Sequence, residues 1–528
     1  MTANSDHVQT EATVPEAAGP PPHPRRWLIL STLCLAVMLV LLDNTVLTVA
    51  IPSMTESLNA STSSIQWVMN SYTLVLAGLL MTTGSLSDRI GRKKALLTGV
   101  ALFTLGSFVA SMSDSTTQLI LSRVGMGIGA ALLMPSTLAV LLQVFDEKER
   151  PKAIAAWTGV AAGSIALGPV LGGFLLNHFW WGSVLLINVP VGVIALVTMI
   201  FLIPESRDPK VRKPDVPGVL LSTVMAVGTV YAVISVPEHG WSSADVLVPL
   251  AIGVAALAGF VYWERTCDDP MLDVTLFRNP VFSGAVGSAS LTSVAMAGSL
   301  FLFTQYLQFV LDYTPLQAGL GVIPMALALL VLTPFSPKIS AKIGTPATLA
   351  TGLGVMGLGL VTLSFIAADS SFALPLAGLA LMGAGVGIAL PASSNAMMGA
   401  IPLERAGMAS GLNSTMQELG SALGVAVLGS LAAAQFASQV PSVIPADARN
   451  SVGESLGIAA RTSDAAQAVE QVREAFVSGV SLSLKFGAVA AFAAGAVAWV
   501  LLRRNAAQAT VLEAGTTAEQ AQEHASVS

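Results

Sequence analysis

Three ionisable residues, Asp43, Arg123 and Glu418, lie inside long apolar runs of the sequence. Ionisable groups are costly inside a lipid bilayer, so each is a candidate functional residue. At 1.5 Å per residue, Asp43 lies roughly 24 Å along the first run, Arg123 roughly 9 Å along the fourth and Glu418 roughly 17 Å along the thirteenth. Glu418 is therefore the deepest carboxylate. Held away from water, it could alternate between binding a proton and attracting a cation.

Each of the three also has a purely structural interpretation. Asp43 could cap a helix at the membrane surface through Asn44 or Thr45. Arg123 could extend its side chain to the outer surface while its stem stays in the apolar region.

A protonated Glu418 could be held in a static hydrogen-bond network by Asn413 and Gln417. The sequence leaves these alternatives open, because spacing along one helix does not show which helices are neighbours.

The composition indicates a membrane protein and excludes several chemistries. Hydrophobic residues make up 53% of the 528 residues and charged residues 11%, against about 25% charged in a typical soluble domain. Cys34 and Cys267 are too few and too far apart for a disulfide scaffold or a metal site, so we expect no metal or cofactor. No phosphate-binding loop of the Gly-x-x-x-x-Gly-Lys-Ser/Thr kind occurs, which excludes ATP as a partner. The five histidines lie in tails and turns, which argues against a membrane-embedded enzyme.

Fourteen apolar runs are long enough to span a bilayer. Basic residues concentrate in alternate gaps between the runs, which predicts a multi-pass protein of a bacterial cell membrane with both termini in the cytoplasm. The predicted spans are 27–54, 64–84, 95–112, 118–143, 153–176, 183–204, 216–236, 246–263, 281–310, 315–335, 347–367, 372–399, 407–435 and 479–502.

An internal repeat predicts two halves. Ser87-Asp88-Arg89-Ile90-Gly91 is matched by Ser340-Ala341-Lys342-Ile343-Gly344, and transporters are commonly built from such repeats. The predicted parts are a disordered cytoplasmic tail (1–26), an N-terminal six-helix bundle (27–204), two extra helices with linkers (205–280), a C-terminal six-helix bundle (281–502) with an outside loop (436–478), and a cytoplasmic tail (503–528).

The loop after the second run resembles the signature loop of the major facilitator superfamily. In that family the loop latches the two halves together on the cytoplasmic side. An ordinary positive-inside loop would explain its cations but not the spacing of its glycines and aspartate. The residues that the resemblance assigns to a latch are Gly84, Asp88, Arg89, Gly91, Arg92 and Lys93.

A run of small residues in the fifth span is similar to the antiporter motif of the same superfamily. Small residues four apart let helix backbones approach closely, so we expect a seam on which the two halves rock. A static packing groove is the structural alternative. The residues of this motif are Gly159, Gly163, Gly168, Pro169, Gly172 and Gly173.

Three further segments, 42–52, 67–72 and 121–127, resemble the fourteen-helix drug:proton antiporters of the EmrB/QacA type. The resemblance implies an all-α integral membrane protein with the major facilitator fold, made of two six-helix bundles plus two inserted helices. It implies proton-coupled export of lipophilic drugs, antibiotics or related toxic compounds. A facilitator or symporter of the same fold for a metabolite is the alternative.

The resemblance also implies roles for individual residues. The family's arginine at the position of Arg123 is linked to proton coupling, and we extend that role, or binding of a substrate cation, to Asp43 and Glu418. Some relatives that export dications carry an acid in the second span, where this chain has Asn70. The expected partners are the bilayer, protons and small lipophilic or cationic substrates, with no nucleic acid. A substrate pocket is placed by position alone at Trp67, Tyr72, Gln305, Tyr306, Asn413 and Gln417.

If the signature loop is a latch, Asp88→Asn should slow conformational cycling and leave substrate affinity largely intact, because the change weakens a contact between halves and not a pocket. Initial transport rates and equilibrium binding of one dye, measured on the same preparation, would separate the two effects. Unchanged transport by this variant would indicate that the loop is an ordinary cationic turn and not a latch.

Overall fold

The computed structural model describes residues 24–146, 149–205, 215–267, 270, 272–367, 373–400, 406–446 and 448–527. Within these ranges the regular structure is entirely helical, as predicted. The helices are α1 (Arg26–Leu58), α2 (Thr62–Ile90), α3 (Arg92–Ser111), α4 (Thr116–Val144), α5 (Arg150–His178), α6 (Ser183–Leu186), α7 (Asn188–Leu202), α8 (Val216–His239), α9 (Ala244–Thr266), α10 (Pro280–Phe309), α11 (Pro315–Gly321), α12 (Ile323–Leu332), α13 (Ser336–Ile343), α14 (Thr345–Leu363), α15 (Ala373–Gly399), α16 (Ala406–Gln439), α17 (Val452–Ala459) and α18 (Ala465–Val527).

Twelve helical segments of the described chain are long and apolar enough to cross a membrane. Helices α2 and α5, of 29 residues each, occupy the positions of the second and fifth predicted spans. The total of fourteen spans stays a prediction. Helix α18 begins at Ala465 and α17 lies before it, so the segment predicted as an outside loop is partly helical.

The internal repeat corresponds to two turns with the same unusual backbone. Gly91 joins α2 to α3 with φ of 107°, and Gly344 joins α13 to α14 with φ of 81°. Residues with a side chain rarely adopt these angles, so glycine is needed at both turns. Each glycine amide closes the preceding helix by donating to a serine carbonyl four residues back, Ser87 and Ser340 respectively.

Helices α1 to α7 pack mainly among themselves, and so do α10 to α18. The inserted helix α8 lies against α2 of the first half and α16 of the second half. The apolar cluster at this junction contains Leu74, Val230 and Ala426, and the rings of Trp67 and Tyr231 lie 5.6 Å apart beside it. The inserted pair of helices is therefore part of the main bundle. Helix α8 covers one of the seams between the two halves.

The two halves are joined by hydrogen bonds near the end of the bundle where α1 ends and α2 begins, which we call the distal end. Gln308 donates to the carbonyl of Val49 at 2.9 Å, and Gln66 donates to the carbonyl of Val425 at 3.2 Å. The hydroxyl of Thr62 donates to a carbonyl of the loop before α17 at 2.9 Å. The distal end is closed in this conformation.

The glycines of α5 do not form the single seam that the motif predicts. A Cβ atom on Gly168 would lie 1.9 Å from the hydroxyl of Thr45, and one on Gly172 would lie 2.9 Å from the carbonyl of Val46, both on α1 of the same half. Among the described residues, nothing lies within 4 Å of a Cβ added at Gly159 or Gly163. The expectation that Gly168 and Gly172 lie in a seam between the two halves is therefore not met in this conformation.

The contact with the other half is made by the adjacent face of α5. A Cβ on Gly173 would lie 2.4 Å from the carbonyl of Pro315, and one on Gly319 would lie 2.0 Å from the carbonyl of Pro169. Consecutive residues of a helix point about 100° apart, so Gly168 and Gly172 share one face while Pro169 and Gly173 share the next. Only this end of the motif contributes to the seam, and it does so near the distal end.

We expect Gly173→Val to prevent closure of the distal end, because a side chain cannot fit where two backbones nearly touch. Disulfide cross-linking between cysteines introduced at Val49 and Gln308, in an otherwise cysteine-free protein, should be largely lost. The matched control is Gly163→Val, which adds the same atoms where no described residue comes within 4 Å of an added Cβ. Equal cross-linking in the two variants would show that α5 and α11 do not determine closure.

Candidate functional site

The guanidinium of Arg123 is fully buried in the first half. It pairs with the carboxylate of Asp43 on α1, and its Nε donates to the carbonyl of Val68 at 3.3 Å. A further nitrogen lies 3.5 Å from the side-chain oxygen of Asn44, and the ring of Tyr72 stacks on the guanidinium at 4.3 Å. The expectation that Arg123 could reach the outer surface is therefore wrong, because its side chain is fully buried and paired with Asp43.

Asp43 is 1% exposed and is bonded on both oxygens. Arg123 holds Oδ2, and the side-chain amide of Asn188 donates to Oδ1 at 2.8 Å. Thr45 instead donates back to carbonyls of its own helix, and Asn44 faces Arg123. The interpretation of Asp43 as a surface cap through Asn44 or Thr45 is wrong, since its partners come from α4 and α7.

Asn188 was not among the residues predicted from the sequence. It is 1% exposed and begins α7, just after the break that separates α6 from α7. Its amide also donates to the hydroxyl of Ser107 at 3.1 Å. An available signal was the asparagine two residues before Pro190 in an otherwise apolar span. A search for costly buried charges does not detect Asn188, because a neutral amide costs less to bury than a charge.

Glu418 is partly buried on α16 of the second half. Asn413 donates to Ser394 at 3.0 Å and not to Glu418, and no hydrogen bond or ion pair joins Glu418 to another described residue. The static network with Asn413 and Gln417 is therefore not formed.

The family model described as "Major Facilitator Superfamily" matches residues 33–425. The chain belongs to the Major Facilitator Superfamily. Its helical bundle resembles an inward-facing bacterial homolog of the human lysosomal transporter Spinster, with a TM-score of 0.65 and 16% identity over 91% of this chain and 97% of that one. At that identity the likeness concerns the fold alone.

Curated relatives match over most of their length. The multidrug resistance protein Stp of Mycobacterium tuberculosis is 37% identical over 76% of this chain and 74% of its own. The multidrug efflux pump LfrA of Mycolicibacterium smegmatis is 34% identical over 91% and 97%. The tetracenomycin C resistance and export protein of Streptomyces glaucescens is 31% identical over 90% and 91%. By name these relatives are multidrug resistance, efflux or antibiotic export proteins, as expected for a drug exporter of this superfamily.

The residues of the predicted substrate pocket differ in the contacts that they make within this major facilitator fold. Trp67 packs against Tyr231 of α8, the hydroxyl of Tyr306 donates to a backbone carbonyl at 2.8 Å, and Gln305 donates to its own helix. These three contacts are structural. Of the other predicted residues, the Tyr72 hydroxyl and the Oδ1 of Asn413 are buried without a hydrogen-bond partner. Tyr72, Asn413 and Gln417 stay candidates to contact a substrate.

The superfamily's signature loop lies at the end of the bundle opposite the distal end, as does the start of α1. Lys93 donates to the carbonyl of Ile200 at the end of α7, so it fastens this loop to its own half. The side chain of Asp88 lies outside the described residues, and its role as a latch stays a prediction. At the same end, the hydrogen bond from Arg26 lowers the pKa of Glu149 from its usual value, which favours pairing between the start of α1 and the turn before α5.

Replacing Arg123 by methionine should destabilise the first half, because it leaves Asp43 buried without its counter-charge. Breaking a buried pair from one side costs about 3–5 kcal/mol, whereas removing both charges costs much less. We expect a large drop in thermal stability in detergent for Arg123→Met, with most of it recovered by adding Asp43→Leu. If the double variant lost as much thermal stability as the two single variants together, the two side chains would not form a coupled buried pair.

Proposed function

We propose that the protein is a proton-coupled antiporter that exports lipophilic drugs, antibiotics or related small toxic compounds across a bacterial cell membrane. The observation that carries this proposal is Glu418, a carboxylate in the interior with no bonding partner among the described residues. The family membership and the multidrug and antibiotic exporters among the relatives support export. The distribution of basic residues supports cytoplasmic termini.

The chemistry required of Glu418 follows from its surroundings. An unpaired carboxylate away from water is stable only when it is protonated or faces a cation. Binding a cationic or polar substrate group would displace the proton, and loss of the substrate would allow protonation again. One site can then carry a proton in one direction and a substrate in the other.

The closed distal end supports a particular step of the cycle. With the termini in the cytoplasm, the hydrogen bonds around Val49 and Gln66 close the outside. Gly159 and Gly163 lie nearer the start of α5, and no atom of the described part of the chain lies within 4 Å of a Cβ added at either. The conformation is therefore the one in which the cytoplasmic side loads substrate. Export then requires the contacts of Gly173 and Gly319 to separate.

Glu418→Gln should keep the protein folded but abolish transport driven by a proton gradient, because glutamine cannot release a proton. In proteoliposomes with an imposed pH gradient, dye efflux should fall to the rate of vesicles without protein. The matched control is Glu470→Gln, the same change at an exposed acid on α18, which should transport at the wild-type rate. Coupled efflux at the wild-type rate in Glu418→Gln would exclude Glu418 as the coupling site.

A further inference from the structure

The inserted helices α8 and α9, with the turn between them, form a closely packed hairpin. A Cβ atom on Gly228 of α8 would lie 2.8 Å from the carbonyl of Pro249 on α9. In the other direction, a Cβ on Gly253 of α9 would lie 3.2 Å from the carbonyl of Met225 on α8. Small residues let two helix backbones approach this closely. Because each helix presents such a glycine to the other, the hairpin is expected to move as one body.

The end of the hairpin opposite the distal end is packed into the second half. An apolar cluster there joins Phe260 of α9 to Phe282 of α10 and Leu412 of α16, and all three side chains are more than nine-tenths buried. The chain that leads from α9 to α10 is held at the same place, because the backbone N–H of Leu272 donates to the carboxylate of Glu264 at 3.0 Å. The base of the hairpin therefore belongs to the second half.

The contacts of the hairpin with α2 of the first half are more exposed. At the distal end the hydroxyl of Ser63 donates to the carboxylate of Glu238 at 2.7 Å, and both residues are exposed. Water can replace either partner of such a bond, so its net contribution is small. The next contact is the ring pair of Trp67 and Tyr231, in which Tyr231 is 42% exposed. Both contacts can separate without leaving a polar group buried.

The face of α2 beside the middle of α8 offers little for α8 to hold. A Cβ on Gly78 of α2 would lie 2.5 Å from the hydroxyl of Thr223. The helices touch at this point, but glycine has no side chain that could project between the residues of α8. One side chain of α2, Leu74, is buried in the apolar cluster that α8 shares with α16. The attachment to α2 is therefore weaker than the attachment to the second half.

Opening of the distal end must break one of these attachments. The bond from Gln66 to the carbonyl of Val425 joins α2 to α16 at this end, and the two helices belong to different halves. Helix α8 packs against both of them. When α2 and α16 move apart, α8 can stay with one of them.

We propose that the α8–α9 hairpin is a movable side wall of the transporter, which travels with the second half and separates from α2 when the distal end opens. This inference rests on the proposed function, because an exporter must open that end to release its substrate. The separation follows the exposed contacts, from Ser63 past Trp67 to Gly78. The apolar cluster around Phe260 stays intact and carries the hairpin with α10 and α16.

A covalent link between the hairpin and α2 should stop transport. In an otherwise cysteine-free protein, Ser63→Cys and Glu238→Cys are joined in proteoliposomes by a short, reducible bifunctional thiol reagent. Dye efflux driven by a proton gradient should fall to the rate of vesicles without protein, because the distal end can no longer open. A reducing agent should restore the efflux.

The matched control is the pair His239→Cys and Asp245→Cys, treated with the same reagent. The native side chains lie 3.8 Å apart across the turn between α8 and α9, so this link stays within the hairpin and efflux should be unchanged. Efflux from the linked Ser63 and Glu238 variant at the rate of its reduced form would overturn the inference, since the hairpin would then travel with α2. Equal loss in the control would also overturn it, because the hairpin would then have to change shape.

Distances between spin labels measure the same movement without transport. The labels are placed in pairs at exposed positions of the distal end, by Ser57→Cys on α1, Trp241→Cys in the turn of the hairpin and Ser438→Cys on α16. When Gly173→Val is added to hold the distal end open, the distance from the hairpin to α1 should lengthen. The distance from the hairpin to α16 should stay as it is without that change.

A distance to α1 that does not lengthen, or a distance to α16 that does, would overturn the inference. If the reduced, unlinked protein exports no dye, the proposed function fails instead. The spin-label distances then still decide whether the hairpin moves with the second half.

Discussion

The buried guanidinium of Arg123 is the constraint around which the first half is organised. Each ion removed from water costs several kcal/mol unless it is paired and hydrogen-bonded. Arg123 meets that requirement with the carboxylate of Asp43, the carbonyl of Val68 and the ring of Tyr72. Because these groups come from α1, α2 and α4, and Asn188 adds α7, four helices are held in one arrangement by a single charge.

The second half also has an ionisable group in its interior, Glu418, but does not pair it with an opposite charge among the described residues. Glu418 has no counter-charge from the described protein, so its protonation breaks no bond. Asp43 is instead bonded on both oxygens, to Arg123 and to Asn188. The two carboxylates are therefore held differently: Asp43 is fixed by charge and hydrogen bonds within the first half, whereas Glu418 has no bonding partner among the described residues.

Hydrophobic runs predicted the helices well, because a spanning helix must be long and apolar whatever its neighbours are, and the family was predicted separately by the resemblance of the loop and glycine motifs. Depth along a helix also identified Asp43 and Arg123, but it did not pair them, since pairing depends on which helices pack side by side. The glycines of α5 show the same limit. Their spacing predicts close packing, yet only the structure shows that Gly168 contacts α1 while Gly173 contacts α11.

The two seams between the halves differ in a way that bears on how they can move. At α2 and α16 the inserted helix α8 adds an apolar cluster, and its Thr223 lies against Gly78 of α2. At α5 and α11 the contact is a close backbone approach confined to the distal end. Packed interfaces adopt discrete arrangements and do not deform continuously, and backbones in direct contact leave no room for a partial separation. The role of the α5 seam in the movement of the halves stays a prediction.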